Sequence, residues 1–585
     1  MGEEGQMSTF VETLRRRVLA ARREAPADLV LKGGRVANVF SGEVQKRDVA
    51  ICDDVIVGLG PDYHGKEEVE LDGDLIIPGL IDAHFHIESS MLLPSGLAAP
   101  LLLHGTTAIV SDPHEIANVM GVQGVRFLID ESRSLPFDIF FLAPSCVPAT
   151  HLETSGATLQ ASDLAVLKDE PSVLGLAEMM NVPGLLVGDE KVLEKIVLFK
   201  DLVIDGHCPL LKGYDLQAYL SAGIRSDHEI TEYAEAQEKL ESGMMVMIRE
   251  GSSARNLEEL LPLVTGFNAR RFCFVSDDLH AEDLLERGHL DFVVRKAVKM
   301  GLPPITAIQL ATLNPAEYFG LRDRGAVAPG YRADLVVLDD FENFHVSRVY
   351  KDGRLAVEHG IPVSLSLKQN QAPLARPEPF NMGLLTTESF RIPHPGRKAR
   401  VIVLIPGQIT TRMVYEAVRA MGGFVVSDVE SDILKLCVVE RHSASGHVGL
   451  ALVRGFGLRR GAIASSVAHD SHNVIVVGVS DGEIFKAVET VRVMGGGLAV
   501  ISGDEVLART PLEIGGLMSR QPLESLVEQL RKIKEAAFHL GCGLEEPFMT
   551  LSFLALPVVP ELKVTDLGLV DVGRFEIVSL FPENS

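Results

Sequence analysis

The stretch from Pro78 to Ser90, PGLIDAHFHIESS, places two histidines two residues apart at the end of an apolar run. That run begins at Leu75 and predicts a buried strand, in which side chains two residues apart share a face. His84 and His86 can therefore bind one metal ion together. A His-x-His pair alone is a weak signal, because histidine also serves as a core or titrating residue. The rest of the chain must decide between these interpretations.

The bulk composition indicates a well-packed protein of several domains that acts on a small molecule. The chain has 585 residues, and single cores stop growing near ~250–300 residues. With 46% hydrophobic and 23% charged residues, it is neither disordered nor fibrous. Its 80 acidic and 55 basic residues give a formal charge of −25, which argues against nucleic acid or an anionic membrane as the main partner. A neutral or cationic small-molecule substrate fits better.

Cysteine usage and the termini bear on location. The six cysteines lie far apart without a Cys-x-x-Cys pair, which favours a reducing cytoplasm. No apolar run reaches the ~18–20 residues needed to cross a bilayer. The arginine-rich start contains Glu3, Glu4, Glu12 and Glu24, so we expect a surface helix there and no targeting segment.

Between Ile76 and about Gly320, apolar segments alternate with helix-like stretches, as in parallel β/α units. The eight strand candidates are LIIPGLIDAHFH, TTAIVSDPHE, FDIFFLAPSC, SVLGLAEMM, LVIDGHCP, AGIRSDHE, MMVMIREGS and RFCFVSDD. Eight such units predict an α/β fold, a (β/α)8 barrel of the TIM type over residues 76–324. The active site of such a barrel lies at the carboxyl ends of its strands.

The remaining regions predict an extension, a second domain, a linker and a third domain. Residues 1–27 are expected to be a helical extension. The β-type runs of residues 28–75 and 325–365 predict one small β-sandwich domain built from both flanks of the barrel. Residues 366–398 are rich in proline and predict a linker, and residues 399–585 mix strand and helix patterns, which predicts an α+β domain.

Polar residues collect at the ends of the eight strand candidates, where a barrel places its chemistry. They are His84, His86, His114, Glu115, Glu178, His207, His228, Glu229, Arg249, Glu250, Asp277 and Asp278. These exceed the three protein ligands that a catalytic zinc typically takes, so two ions are indicated. A carboxylate such as Glu178 can bridge both ions, and paired ions favour hydrolysis because they activate water at neutral pH.

The chain resembles the amidohydrolase superfamily, whose barrels carry His-x-His after the first strand, histidines after the fifth and sixth, and Asp after the eighth. The segments SDPHEIANVMG, GLAEMMNVPG, DGHCPLLKG, AGIRSDHE, MIREGSSARNL and APGYRADLVVL resemble the adenine deaminase branch, as do AHDSHN and VRVMGGGLAV near the carboxyl terminus. Many superfamily members carry a carbamylated lysine after the fourth strand. This chain has Glu178 instead, which agrees with that branch and weighs against dihydroorotase-like or urease-like enzymes.

The resemblance implies two divalent metal ions and a ligand set for each. One ion would be held by His84, His86, Glu178 and Asp277, and the other by Glu178, His207 and His228. The two carboxylates favour Mn(II) or Fe(II), with Zn(II) as the alternative, because imidazole suits all three metals.

The implied reaction is hydrolysis of adenine to hypoxanthine and ammonia, a step of purine salvage, by attack of activated water on C6. Asp277 would move the proton from the water to the departing amine, and Glu229 would protonate the ring nitrogen beside C6. His114 would polarise the substrate or support the metal ligands, with Glu115 orienting it. The residues expected to contact the substrate are Arg249, Glu250, Ser252 and Glu115. The resemblance also implies a homo-oligomer, a dimer or larger.

Three alternatives remain open at this level. The chain could open a cyclic amide, deaminate another purine-like heterocycle, or act as a catalytically silent scaffold, although a silent relative would be expected to have lost ligands. Separately, the segment from Ala468 to Asn473, AHDSHN, lies between β-type runs. Turn chemistry alone explains its Asp, Ser and Asn, so we expect a structural turn there, although the family resemblance leaves room for a loop that reaches the active site.

Overall fold

The structure is a computed structural model that describes residues 3–363 and 380–582. Residues 366–379 of the predicted linker therefore lie outside the described residues. The chain begins with helix α1 (Glu3–Ala21), whose Arg17 lies 2.7 Å from an Asp54 oxygen of the following β region. Seven strands come next: β1 (Ala27–Lys32), β2 (Arg35–Asn38), β3 (Glu43–Lys46), β4 (Asp48–Cys52), β5 (Val55–Gly60), β6 (Gly65–Glu70) and β7 (Leu75–Pro78).

Eight parallel strands form the barrel. They are β8 (Leu80–Phe85), β9 (Thr106–Ser111), β10 (Asp138–Ala143), β11 (Val173–Met179), β12 (Val203–Gly206), β13 (Ser226–Asp227), β14 (Met245–Arg249) and β15 (Phe272–Val275). Strands β8 to β12 form one sheet and β13 to β15 another. The circle closes after β15, where the Asp277 amide donates to the His84 carbonyl at 2.9 Å and the His86 amide donates to the Asp277 carbonyl at 3.2 Å. The predicted (β/α)8 barrel is confirmed.

Helices connect and cover these strands. They are α2 (Pro94–Leu103), α3 (His114–Ser132), α4 (Ala161–Lys168), α5 (Val182–Val187), α6 (Glu190–Leu198), α7 (Gly213–Ser221), α8 (Tyr233–Glu241), α9 (Leu257–Leu260), α10 (Ala281–Arg287), α11 (Leu290–Lys299), α12 (Pro304–Leu310) and α13 (Leu313–Tyr318). Short 3₁₀ helices span Ile87–Ser90, Leu261–Leu263, Ala269–Arg271 and Thr387–Phe390. Among the described helices, none is long and apolar enough to cross a membrane.

Strands from both sides of the barrel share one sheet. The later ones are β16 (Leu335–Leu338), β17 (Val346–Lys351), β18 (Arg354–Glu358) and β19 (Ile361–Pro362). They continue a seven-stranded sheet in the order β19-β18-β17-β16-β7-β2-β3, beside a four-stranded sheet in the order β5-β4-β1-β6. Leu31, Ile51, Ile76 and Val337 belong to one buried cluster with members on both sheets, as in a β-sandwich.

The apolar run that precedes the His-x-His pair is two strands, whereas the sequence suggested one. Strand β7 pairs with β16 and β2 in the sandwich, and β8 belongs to the barrel. Gly79 separates them, and its amide donates to the Asp334 carbonyl at 2.8 Å. A Cβ at Gly79 would lie 2.2 Å from Thr107 Oγ1, so the chain passes from one domain to the other where only glycine fits.

The C-terminal region is an α+β unit. Its strands are β20 (Ala399–Leu404), β21 (Thr411–Glu416), β22 (Ala420–Met421), β23 (Phe424–Val425), β24 (Ile433–Val439), β25 (Val448–Arg454), β26 (Ala462–Ser465), β27 (Val474–Gly478), β28 (Gly497–Ser502), β29 (Glu505–Pro511), β30 (Leu562–Thr565), β31 (Gly568–Asp571) and β32 (Glu576–Val578). Its helices are α14 (Asp481–Met494), α15 (Leu523–His539) and α16 (Pro547–Phe553). The main sheet runs β21-β20-β25-β24-β27-β26-β28-β29 and is mostly antiparallel.

A buried ion cluster joins the barrel to the sandwich. Lys351 is 3% exposed, and its Nζ lies 3.0 Å from both Asp334 and Asp138. Arg324 also lies 2.8 Å from Asp138. Lys351 of the sandwich therefore pairs with Asp334 of its own domain and with Asp138 of the barrel.

Replacing Lys351 by Met should lower the midpoint of thermal unfolding, because it leaves the buried Asp334 carboxylate without its nearest cation at a cost of about 3–5 kcal/mol. Calorimetry or a dye-based melt measures this shift. The matched control is Lys46→Met at an exposed position, for which about 0.5 kcal/mol or less is expected. Equal midpoints for the two variants would show that the cluster adds no stability.

Candidate metal centre and active site

The six predicted metal ligands lie together at the carboxyl end of the barrel. His84 is near the end of β8 and His86 follows it; Glu178 lies in β11, and the others directly follow β12, β13 and β15. Five of the six are buried, and the His207 side chain is 23% exposed. Parallel strands bring their carboxyl ends to one side of a barrel, which is why residues about 190 positions apart meet there.

One half of the cluster is formed by the ends of β8 and β15. The Nε2 atoms of His84 and His86 are 3.1 Å apart. Asp277 Oδ1 lies 3.0 Å from His86 Nε2 and 3.5 Å from His84 Nε2. Two imidazole nitrogens and a carboxylate oxygen thus converge on one point.

The other half is formed by the ends of β11, β12 and β13. Glu178 Oε2 lies 2.8 Å from His207 Nδ1 and 2.9 Å from His228 Nε2. The other oxygen, Oε1, lies 3.9 Å from His86 Nε2. Glu178 therefore presents one oxygen to each half, as a bridging ligand would.

Hydrogen bonds behind the histidines fix which nitrogen faces the cluster. Nδ1 of His84 lies 3.1 Å from the buried Asp205 carboxylate, and Nδ1 of His86 lies 3.0 Å from the Asp112 carbonyl. Since these acceptors require a proton on Nδ1, the lone pair of each Nε2 points at its neighbours. Neither supporting residue was among the predicted site residues. Their position was the available signal, because Asp205 lies near the carboxyl end of β12 and Asp112 directly follows β9.

This donor set fits divalent metal ions. A cation would relieve the repulsion between the crowded imidazole lone pairs and carboxylate oxygens of the cluster. Zn, Mn and Fe all accept these ligand atoms. Burial alone would lower the pKa of His86, but the Asp277 carboxylate raises it to about 10. The pocket therefore favours positive charge, which metal ions provide.

Asp277 and Glu229 share one guanidinium. Arg249 Nη1 hydrogen bonds to an oxygen of each, and its Nη2 lies 3.0 Å from Glu229 Oε2. Burial would raise the pKa of Asp277, yet Arg249, His84 and His86 hold it well below its usual range. Asp277 also has a left-handed backbone, with φ of 58°, maintained by its two barrel-closing hydrogen bonds. Arg249, expected to contact substrate, thus orients two carboxylates.

His114 and Glu115 extend the cluster toward the C-terminal domain. His114 Nδ1 lies 3.4 Å from Glu178 Oε1, and its Nε2 lies 3.5 Å from Glu115 Oε1. Glu115 in turn lies 2.7 Å from Nδ1 of His469 and accepts from Nε2 of His472. Glu115, expected to contact substrate, is therefore buried between the barrel and the C-terminal domain.

The other predicted substrate contacts face elsewhere. Glu250 lies 2.9 Å from Lys296 Nζ on α11, so its carboxylate joins an ion pair behind the site. Ser252 accepts from the His280 amide at 2.9 Å and donates its own amide to the Asp278 carbonyl at 2.8 Å. Asp278 accepts from Ser89. Among the described contacts, neither Glu250 nor Ser252 touches the metal cluster, because the chain turns away after Arg249.

The segment AHDSHN is not a structural turn alone but a loop that reaches the barrel, the alternative that the family resemblance left open. Its histidines reach across the domain boundary to Glu115 and are 5% and 1% exposed. Local turn preferences carry no information about a neighbouring domain, so sequence periodicity could not reveal this. Two histidines three residues apart were the available signal.

Comparison with known proteins agrees with this architecture. Residues 75–356 match the amidohydrolase family, and residues 408–576 match the adenine deaminase C-terminal domain. A protein named adenine deaminase from Desulfatibacillum aliphaticivorans is 52% identical over 567 residues, 96% of this chain and 99% of that protein. Another from Methanothrix thermoacetophila is 48% identical over 97% of this chain and 99% of its own length. A third, from Dehalococcoides mccartyi, is 47% identical over 96% and 98%.

The barrel and its histidine and carboxylate cluster define a metal-dependent hydrolase of the amidohydrolase class. Its site uses divalent metal ions. Given the identity over nearly the whole length, the chain belongs to the adenine deaminase family.

Replacing Glu178 by Gln should lower the bound metal measured by elemental analysis, because both halves of the cluster lose a charged ligand. The matched control is Glu190→Gln, an exposed residue at the start of α6, which should retain the wild-type metal content. Chelation should also lower the melting midpoint of the wild type but not of Glu178→Gln, since bound ligand stabilises by about 2.7 kcal/mol at 100 times Kd. Unchanged metal content in Glu178→Gln would contradict a bridging role.

Proposed function

We propose that this protein hydrolyses adenine to hypoxanthine and ammonia, and that the residues around Glu178 carry out this reaction. The observation that carries the assignment is the buried cluster in which one carboxylate faces two groups of histidines, in a chain 52% identical to a protein named adenine deaminase. The substrate is a small molecule, which agrees with the strongly acidic composition.

The proposed ligands are His84, His86 and Asp277 on one side and His207 and His228 on the other, with Glu178 between them. Two divalent ions held there supply Lewis acidity and make water nucleophilic at neutral pH. The carboxylates make the site rich in oxygen, so we favour Mn(II) or Fe(II) over Zn(II).

Asp277 is placed to move a proton during the reaction. Its low pKa keeps the carboxylate ionised and able to accept a proton from the attacking water. The same group then donates that proton to the amino group that leaves C6. Arg249 limits the movement of Asp277, because it hydrogen bonds to the oxygen that does not face the histidines.

Glu229 is the proposed proton donor to the ring nitrogen beside C6. It follows His228 directly and is held by Arg249 through two hydrogen bonds. Because that guanidinium also binds Asp277, the two carboxylates are fixed on one wall of the site. Of the two protons of the attacking water, Asp277 carries one to the departing amine. The other replaces the proton that Glu229 donates to the ring nitrogen, so that hypoxanthine and ammonia form with no net change in protons. His114 is proposed to support Glu178, which it approaches at 3.4 Å.

We further propose a cytoplasmic homo-oligomer. The six cysteines are free and buried, which suits a reducing compartment. Large apolar side chains are exposed on barrel helices and loops, including Val187 at 82% and Tyr214 at 88%, and self-association would cover them. Light scattering of the purified protein measures the assembly, and a monomer would contradict this proposal.

Ammonia release and the ultraviolet change from adenine to hypoxanthine test the reaction. The wild type loaded with Mn(II) should be active, and Asp277→Asn and Glu229→Gln should each lower kcat by about 10²–10⁴-fold, the usual contribution of general acid-base catalysis. Metal content should persist in Glu229→Gln. A loss below tenfold in that variant would show that Glu229 serves only to hold Arg249, and no release by the wild type would overturn the substrate.

Reconstitution of metal-free protein tests the metal preference. Two equivalents of Mn(II) or Fe(II) per chain should restore more activity than two equivalents of Zn(II). Equal or greater activity with Zn(II) would overturn the preference while leaving the cluster intact.

A further inference from the structure

A segment of the C-terminal domain enters the mouth of the barrel. This segment, Ala468–Asn473, is called the C-terminal loop here, and it connects β26 to β27. All six of its residues are buried. Glu115 binds it through two imidazoles: His469 Nδ1 lies 2.7 Å from Oε1, and His472 Nε2 hydrogen bonds to Oε2.

The hydrogen bonds of the C-terminal loop indicate that it holds the two domains together and does not form a third metal site. The Ala468 amide donates to His472 Nδ1 at 3.1 Å, so that nitrogen must be unprotonated. The proton of neutral His472 is then on Nε2, where it is donated to Glu115. A protonated nitrogen offers no lone pair to a metal ion, so the three groups hold the two domains together instead.

Further contacts fix the position of the C-terminal loop. Asn473 Nδ2 donates to the Thr154 carbonyl, in the segment after β10, at 2.8 Å. The fully buried Arg441 donates to the His472 carbonyl. The loop therefore rests on the segments that follow β9 and β10, at one side of the barrel mouth.

Two polar atoms in this rigid loop have no hydrogen-bond partner. They are Oδ2 of Asp470 and Nε2 of His469, in residues 4% and 5% exposed. An unpartnered buried polar atom is costly, and in a native site it marks where a ligand group binds. His469 also lines a small cavity with Glu88, Glu115 and Met549.

Asp470 lies beside the histidine that contacts the barrel, with its Oδ1 3.7 Å from His469 Nδ1. Its neighbour His469 is linked through Glu115 and His114 to Glu178. Burial, together with the nearby Glu115 and Glu178 charges, raises the pKa of Asp470 to about 6. The Asp470 carboxyl group thus lies among buried charged side chains at the junction between the C-terminal loop and the barrel.

The substrate must fit between two walls. Its C6 atom must lie at the metal cluster, with Glu229 and Arg249 on the side formed by the ends of β13 and β14. The C-terminal loop covers the ends of β9 and β10, which face β13 and β14 across an eight-stranded barrel. A flat purine with its six-membered ring toward Glu229 thus directs its five-membered ring toward the C-terminal loop.

We propose that the C-terminal domain contributes part of the purine site, and that Asp470 accepts the imidazole N–H of the free base through Oδ2. This assignment rests on the proposed adenine hydrolysis. It makes Asp470 a specificity-determining residue, because a purine that carries a substituent on the imidazole nitrogen has no N–H to donate to Asp470. Glu115 is a positioning residue, since it acts by holding the C-terminal loop.

Steady-state kinetics of Asp470→Asn on adenine test the proposal, with bound metal and melting midpoint measured on the same preparation. KM should rise about tenfold, because the amide of Asn keeps an acceptor oxygen but makes a weaker hydrogen bond than the charged carboxylate, while metal content stays at the wild-type value. The matched control is Asp504→Asn, an exposed carboxylate in the turn between β28 and β29, which should keep the wild-type KM. An unchanged KM, or a lower kcat accompanied by metal loss, would overturn the proposal.

A second measurement uses the wild type and does not depend on the folding of a variant. Neither 7-methyladenine nor 9-methyladenine has an imidazole N–H, so both should have kcat/KM at least about tenfold below that of adenine. The preference for adenine should shrink in Asp470→Asn. Equal use of all three by the wild type would overturn the role of Asp470. No ammonia from adenine in the metal-loaded wild type would instead overturn the proposed function itself.

Discussion

The site depends on one buried carboxylate placed between two groups of imidazoles. Glu178 directs Oε2 to His207 and His228 at 2.8 and 2.9 Å and Oε1 toward His86 at 3.9 Å. Such a group is unfavourable in a protein interior unless positive charge balances it. The barrel satisfies this requirement by bringing ligands from several strands to one place. The closing hydrogen bonds around Asp277, the Asp205 contact to His84 and the guanidinium of Arg249 all serve to fix those ligands.

Much of the barrel could be predicted because its chemistry follows its strands. Each of the eight apolar runs ends in polar residues, and parallel strands place those ends together, so His84, His207 and Asp277 could be related without a structure. The domain boundary at Gly79 could not be predicted, because the apolar run continues on both sides of this glycine. Only the close approach of Thr107, at 2.2 Å from the position of a Cβ, reveals the boundary between domains.

The parts that could not be predicted involve contacts between distant segments. Nothing near Glu250 in the sequence indicates that Lys296 will bind it, and the two histidines of AHDSHN do not indicate that their partner is Glu115. Glu250 and Glu115 are charged and adjacent in the sequence to predicted site residues, so we expected both to contact the substrate. In the structure, Glu250 instead forms an ion pair with Lys296, and Glu115 connects the barrel to the C-terminal domain. The bridge formed by Glu115 extends the site, because it brings unpartnered polar atoms of the C-terminal loop to the barrel mouth.

Anomalous X-ray diffraction from crystals of the Mn(II)-loaded protein would reveal whether two ions share Glu178. We expect two anomalous peaks about 3.5–4 Å apart, with one Glu178 oxygen next to each. A single peak, or a second peak beside Glu115 and His469 in place of His207 and His228, would contradict it.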